Sequence, residues 1–234
     1  TGFMQRAYDN VIHDVAIQDL PVVMCLDRGG LVGEDGVTHH GVFDMAAFGA
    51  VPGLTIAAPM NEPELRNMMY TALGSGHPFM IRYPRGHGEG LPWRGEKFET
   101  LPVGRGRRLR EGADVALLTV GTVGNAAARA AGRAAAEGVS VAHYDLRFVK
   151  PLDEALLDEV GRKFRRVVTV EDGSLRGGVG EAVAAFFNGR GYDVRVQRLG
   201  IGDEWVEHGT PGQLYALCGY DEEGILRALL DTRA

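Results

Sequence analysis

What most constrains the fold of this chain is an alternation of short, unbroken apolar runs with segments of helical period. The runs are VVMCL (22–26), LTIAA (54–58), FMIRY (79–83), DVALLTV (114–120), VSVAHYDL (139–146), RVVTVE (166–171) and a last one at 193–199. Runs without polar alternation read as strands covered on both faces, as in a parallel sheet. Between them lie helical patterns. Residues 3–18 carry Phe3, Ala7, Val11, Ile12 and Val15 on one face, and Asn61 with Glu64 three residues on resembles a capping box opening a helix to Leu73. An Ala-rich helix spans 123–137 and stops at Gly138, others lie at 153–163 and near 179–188, and two short ones close the chain. Strand–helix–strand repeated twice predicts an α/β fold of two layered domains with mainly parallel sheets. Residues 84–103 (PRGHGEGLPWRGEKFETLPV) have no period and are rich in Gly, Pro and charge, so the expected division is 1–98 and 99–234.

Composition removes several function classes. With 25 Lys and Arg against 31 Asp and Glu, the net charge is −6 and no basic run occurs, which argues against a general nucleic-acid binder. No apolar run approaches a membrane span and no leader-like segment opens the chain, so a cytoplasmic protein is expected. Cys25 and Cys218 both sit in apolar stretches, which predicts buried, reduced thiols. Glycine is abundant, 34 of 234 residues, about twice average usage.

Parallel sheets bind ligands at loops beyond the carboxyl ends of their strands. Two such loops stand out. DRGGLVGEDGVTHHG (27–41) packs five glycines with two Asp, one Glu, one Arg and two His, and is longer than an ordinary α/β connection. It carries Asp35 and His39 four residues apart, a pair suited to proton transfer or to holding a hydroxylated substrate. It lacks the P-loop pattern, and His39-His40 without a third spaced ligand is no zinc site. RYPRG (82–86) follows another strand of the same expected sheet. Arg28 and Arg85 can therefore project from one rim toward one phosphate or carboxylate. VEDGSLRGGVG (170–180), near a helix start, is a further place where an anion can bind.

FMQRAYDNVIHDVAIQDLPVVMCLDRGGLVGEDGVTHHGVFD, with APMNEPEL, RYPRG, LREGADVALLTVGT, DLRFVKPLDE, VEDGSLRGGVGEAV and GTPGQL, resembles the 1-deoxy-D-xylulose-5-phosphate synthase family. These are thiamine-diphosphate enzymes of the transketolase superfamily, and the resemblance covers essentially the whole chain. It implies part of a pyrimidine-binding domain over 1–98 and a transketolase C-terminal-like domain over 99–234. It implies condensation of pyruvate with glyceraldehyde 3-phosphate, with loss of CO₂, in isoprenoid-precursor and thiamine or pyridoxal biosynthesis. Carried over by motif, Phe3 matches the aromatic packing on the cofactor's aminopyrimidine ring. Arg28 and Arg85 match the pair binding the triose phosphate, and Arg6 matches a third substrate-side arginine. The resemblance also implies that Tyr83 supports that site. Asp35 and His39 match residues hydrogen-bonding the triose hydroxyl and carbonyl, with His39 as proton shuttle. His40 stands where the family often has Gln and has no role assigned.

The family's diphosphate-binding domain, its Mg²⁺ ligands and the glutamate contacting the pyrimidine would all precede residue 1. The resemblance thus implies the C-terminal piece of a longer enzyme, with no metal ligand in this chain, a partnering N-terminal portion and homodimerisation. The second domain is expected to serve assembly. Alternatives are a β-type subunit of a 2-oxoacid dehydrogenase, a split transketolase, or a non-catalytic α/β partner-binding module.

Overall fold

The computed structural model describes residues 1–231. It contains two mostly parallel sheets with helices on their faces. The N-terminal helical segment changes pitch along its length, 3₁₀ over Gly2–Ala7, α over Tyr8–Asn10 (α1) and π over Val11–Ala16. The first sheet holds β1 (Val23–Leu26), β2 (Thr55–Ala57) and β3 (Phe79–Arg82), all parallel, with helices α2 (Asp44–Gly49) and α3 (Glu62–Leu73). The second holds β4 (Arg107–Arg110), β5 (Val115–Val120), β6 (Val141–Asp145), β8 (Arg166–Ser174) and β9 (Arg195–Ile201) in the order β4-β6-β5-β8-β9. Its helices are α4 (Val123–Ala136), α5 (Glu154–Lys163), α6 (Val179–Gly189), α7 (Pro211–Leu217) and α8 (Glu222–Leu230).

β5 shows why its sequence is an unbroken apolar run. Val115 and Leu117 face α4 and α8, where they meet Ala127, Ala130, Ile225 and Leu229. Ala116 and Leu118 point the other way, toward Leu157 and Val160 of α5 and Val183 and Phe187 of α6. Each large apolar side chain buried this way is worth roughly 1.5–3 kcal/mol. On α4 the alanines at 127, 130, 131 and 134 are fully buried. Their i, i+3, i+4, i+7 spacing makes one small-residue stripe against the sheet. In the first sheet Phe79 and Ile81 of β3 pack toward Met68 and Ala72 of α3, while Met80 faces Val11 and Phe48.

Several elements depart from the sequence reading. Among the described residues β1 is the edge of its sheet, pairing with β3 alone, so Val23 and Met24 are half-buried and of its four residues Leu26 alone is buried. Cys25 is consequently exposed and Cys218 partly so; both are free thiols. β4, an arginine-rich edge strand inside what the pattern leaves as linker and loop, pairs antiparallel with β6. The short strand β7 (Phe148–Lys150) leaves the second half of the chain and pairs antiparallel with β2, completing the first sheet as β1-β3-β2-β7. Asn61 caps α3 by accepting from the Glu64 N–H at 3.2 Å. The Glu64 carboxylate does not return to the cap. It is buried and takes a two-pronged pair from Arg147 (2.8 and 2.9 Å) and a third contact from Arg107.

Candidate active site

The two loops singled out in the sequence leave the same end of the first sheet. β1 and β3 are parallel neighbours with Leu26 opposite Arg82, so the segments carrying Arg28 and Arg85 begin side by side. The Gly29 N–H donates to the Tyr83 carbonyl at 2.8 Å and ties them together. Loop 27–41 then closes on itself, because Gly30 and Gly41 exchange two backbone hydrogen bonds of 2.8 Å each. Gly30 has φ +80°, and a Cβ built there would overlap the carboxylate of Asp172, so glycine is required twice over at this position.

At the apex, the Asp35 carboxylate accepts from Arg85 Nη1 at 2.6 Å, with both side chains partly open to solvent. His39 lies edge-on to the ring of Phe3, centroids 5.3 Å apart, and its Nδ1 is 2.9 Å from Thr38 Oγ1. Asp35 and His39 thus share the loop, yet each pairs with another residue and they make no hydrogen bond to one another. Phe3 is 63% exposed, with an apolar face free for a flat ring. Arg28 pairs with the neighbouring Asp27. Arg6 is exposed, and its side chain has no ion pair among the described residues. Tyr83 is half-buried, and that desolvation raises its phenol pKa, which keeps the hydroxyl protonated at neutral pH.

Arg28 also holds φ +57°, the left-handed region that costs a side-chain-bearing residue about 1–2 kcal/mol. Replacing Arg28 by glycine removes that cost and gives up only an exposed ion pair. The R28G chain is therefore expected to be more stable by about 1 kcal/mol, read as a higher urea midpoint at unchanged slope. A lower midpoint would mean the guanidinium contributes to folding.

What the sequence did not reveal is the buried polar cluster beneath the loop. Arg82 ends β3 with its guanidinium 5% exposed. It donates to Asp44 at 2.7 Å, to the Gly41 carbonyl at 3.2 Å and to the Asp172 carbonyl at 3.0 Å. Burial alone would lower its pKa, but Asp44 and then Asp172 more than offset that, and the group stays charged. The Asp172 carboxylate accepts from the Leu31 N–H (3.0 Å), the Tyr220 hydroxyl (2.8 Å) and the Tyr215 hydroxyl (3.3 Å). Its pKa is raised by desolvation, opposed by Arg82. His40 is part of the same scaffold. Its Nδ1 accepts from the Val32 N–H at 3.1 Å, which leaves the proton on Nε2 facing the Glu207 carbonyl at 3.4 Å. At α6 the helix N-terminus is already filled from within. The Glu171 carboxylate accepts from the N–H groups of Val179 and Gly180, both at 2.8 Å, while burial pushes its pKa up to about 7. The anion place expected at 170–180 is thus held by the protein's own side chain.

Among the described residues, no group of three His, Cys, Asp or Glu side chains is placed to hold a metal ion. No helix among them is long and apolar enough to cross a membrane.

Two family models match the chain, the transketolase pyrimidine-binding domain over residues 1–89 and the transketolase C-terminal domain over residues 104–225. The chain belongs to the transketolase family. Within that family it is 58% identical to 1-deoxy-D-xylulose-5-phosphate synthase of Bacteroides fragilis, over 100% of this chain and 36% of the relative. The Bacteroides thetaiotaomicron enzyme of the same name is also 58% identical, over 98% of the chain and 36% of the relative. That of Symbiobacterium thermophilum is 48% identical, over 95% of the chain and 34% of the relative. The chain thus spans about a third of the length of these relatives. Among solved structures it matches a split-gene transketolase described as an inactive β4 tetramer, with TM-score 0.84 and 26% identity, over 97% of this chain and 72% of that one. This transketolase-family chain therefore shares the mixed, mostly parallel two-sheet architecture of that neighbour.

Proposed function

We propose that this chain is the C-terminal portion of a 1-deoxy-D-xylulose-5-phosphate synthase, with 1–98 contributing to the pyrimidine-binding domain and 99–234 forming the C-terminal domain. Together with the preceding portion of the same enzyme it condenses pyruvate with glyceraldehyde 3-phosphate and releases CO₂. The observation that carries the reading is the loop geometry. Two arginines leave the ends of adjacent parallel strands, Asp35 and His39 stand on the pinched loop that follows Arg28, and Phe3 of the N-terminal segment packs its ring against His39. The 58% identity to named synthases favours this reading over a split transketolase, whose solved structure is 26% identical.

The open face of Phe3 fits a flat heterocycle such as the aminopyrimidine of thiamine diphosphate. That cofactor, when bound, would supply the nucleophilic carbon that adds to the pyruvate carbonyl and the ring that takes up the electrons left when CO₂ departs. Its Mg²⁺ would be held by the preceding portion. The residues of this chain act on the second substrate. Arg85 and Arg28, assisted by Arg6 and Tyr83, bind the phosphate. Asp35 accepts a hydrogen bond from the aldehyde's neighbouring hydroxyl. His39 donates to the aldehyde oxygen and delivers the proton that oxygen needs as the new carbon–carbon bond forms. A homodimer in solution fits the same reading.

The test is an assay of the complete polypeptide with thiamine diphosphate and Mg²⁺, pyruvate, and either glyceraldehyde 3-phosphate or unphosphorylated glyceraldehyde. The expected result is CO₂ release with a kcat/KM at least a hundredfold higher for the phosphorylated aldehyde. Equal use of the two aldehydes would overturn the assignment of the arginines. No condensation with either would overturn the function.

A further inference from the structure

The loop that carries Asp35 and His39 belongs to the first sheet, but what fixes its base comes from the second. Asp172, at the carboxyl end of β8, is 4% exposed and lies 141 residues from Leu31, whose N–H it accepts. Its main-chain carbonyl takes one arm of Arg82, and the same guanidinium nitrogen reaches the Gly41 carbonyl. The two rungs of the Gly30–Gly41 pair are thus flanked on either side. Leu31, next to Gly30, hangs from the Asp172 side chain, and Gly41 hangs from Arg82, which leans on the Asp172 backbone. The carboxylate can come this close only because position 30 carries no side chain. Tyr215 and Tyr220, the other two donors to Asp172, line a cavity of about 310 Å³ between the halves of the chain, and Arg85 and His87 line it too.

We propose that Asp172 is a positioning residue for the aldehyde site. From the second sheet it sets the base of loop 27–41, and through Tyr215 and Tyr220 it sets the cavity wall beside Arg85. The inference deepens the synthase reading and rests on it for the identity of the substrate. On this account the second half of the chain does more than support assembly, since it decides where Asp35 and His39 stand.

Two measurements on Asp172→Ala, Asp172→Asn and Tyr220→Phe test it. The first is amide hydrogen exchange on the chain itself, which reads local opening without reference to any substrate. In Asp172→Ala, amides 31–41 are expected to exchange at least tenfold faster, with those of β5 and α4 unchanged, the effect of losing a hydrogen bond to a charged acceptor. Asp172→Asn, which keeps the size and one acceptor oxygen, is expected to restore most of the protection. Tyr220→Phe is expected to fall between the two. Unchanged loop exchange in Asp172→Ala, or loss spread evenly over the second sheet, would overturn the proposal. The second measurement is steady-state kinetics of the complete enzyme carrying Asp172→Ala, with Asp172→Asn as the conservative control. The KM for glyceraldehyde 3-phosphate is expected to rise several-fold while that for pyruvate stays the same. An equal rise for both substrates would mark Asp172 as merely structural and overturn the proposal. Loop-confined exchange in an enzyme that does not use glyceraldehyde 3-phosphate at all would uphold this clasp of Asp172 and Arg82 on the loop base and remove the synthase reading instead.

Discussion

Replacing Arg85 by alanine is expected to raise the KM for the phosphorylated aldehyde by one to two orders of magnitude and to leave that for pyruvate within about twofold. A hydrogen bond between a guanidinium and an anion is worth roughly 1.5–3 kcal/mol, a factor of about 10 to 150. Arg85 is the stronger candidate of the two arginines because it is already aimed at the loop apex. Its Nη1 lies 2.6 Å from the Asp35 carboxylate, whereas Arg28 turns back onto Asp27. On the proposed reading, an arriving phosphate competes with Asp35 for that guanidinium and leaves Asp35 open to the substrate hydroxyl. Arg85→Lys keeps the charge without the planar fork and should lose only part of the affinity. Because Arg85 is 45% exposed, its removal should leave the denaturant midpoint nearly unchanged, which separates the substrate effect from a folding effect. Steady-state kinetics varying each substrate in turn provides the check. A loss that falls on pyruvate would mean that the rim arginines serve the wrong end of the reaction.

The second large effect falls on stability. Arg82→Met, close in volume and uncharged, is expected to cost about 3–5 kcal/mol, a large fraction of the stability of an ordinary domain. The reason is what it leaves behind. Asp44 loses its 2.7 Å partner, and the carbonyls of Gly41 and Asp172 lose their donor, all at positions buried from solvent. Arg82→Met combined with Asp44→Leu should recover a substantial part of the loss, since the stranded carboxylate is then gone as well. Chemical denaturation of the two variants measures this. Arg82→Met at wild-type midpoint would show that the cluster is hydrated and contributes little.

The parts of the fold that the sequence displayed are those where burial leaves a periodic trace. β5, covered by α4 and α8 on one face and by α5 and α6 on the other, writes VALLTV with no interruption. β4 is an edge strand whose Arg107 and Arg108 are held by ion pairs to Glu64, Asp145, Glu111 and Glu159, so RRLR carries no hydrophobic period. α2 has six residues, too few for a helical period to show, and β7 has three. β1 shows the converse, an apolar run that sits at a sheet edge and leaves Cys25 open.

The candidate site divides the same way. Glycine density, loop length and the two arginines after neighbouring strands were visible because they are local. The clasp was not, because Arg82 looks like the last residue of a strand and its acceptor on Asp172 stands 90 positions away. A close inspection of charged residues at the ends of apolar runs, Arg82 in FMIRY and Glu171-Asp172 after RVVTV, is the one signal that would have raised it.

The antiparallel strand β7 sets where this protein can be cut and rejoined. The chain crosses from its first sheet to its second and then sends Phe148–Lys150 back to lie against β2. A divider placed in the polar stretch near residue 98 would strip β2 of that neighbour and open a buried backbone edge to any passing strand, a recipe for aggregation. Moving the cut past Lys150 would instead part β5 from its neighbour β8, so chimeras between relatives should exchange the two sheets together. The two halves are thus modules to the eye but not to the scissors.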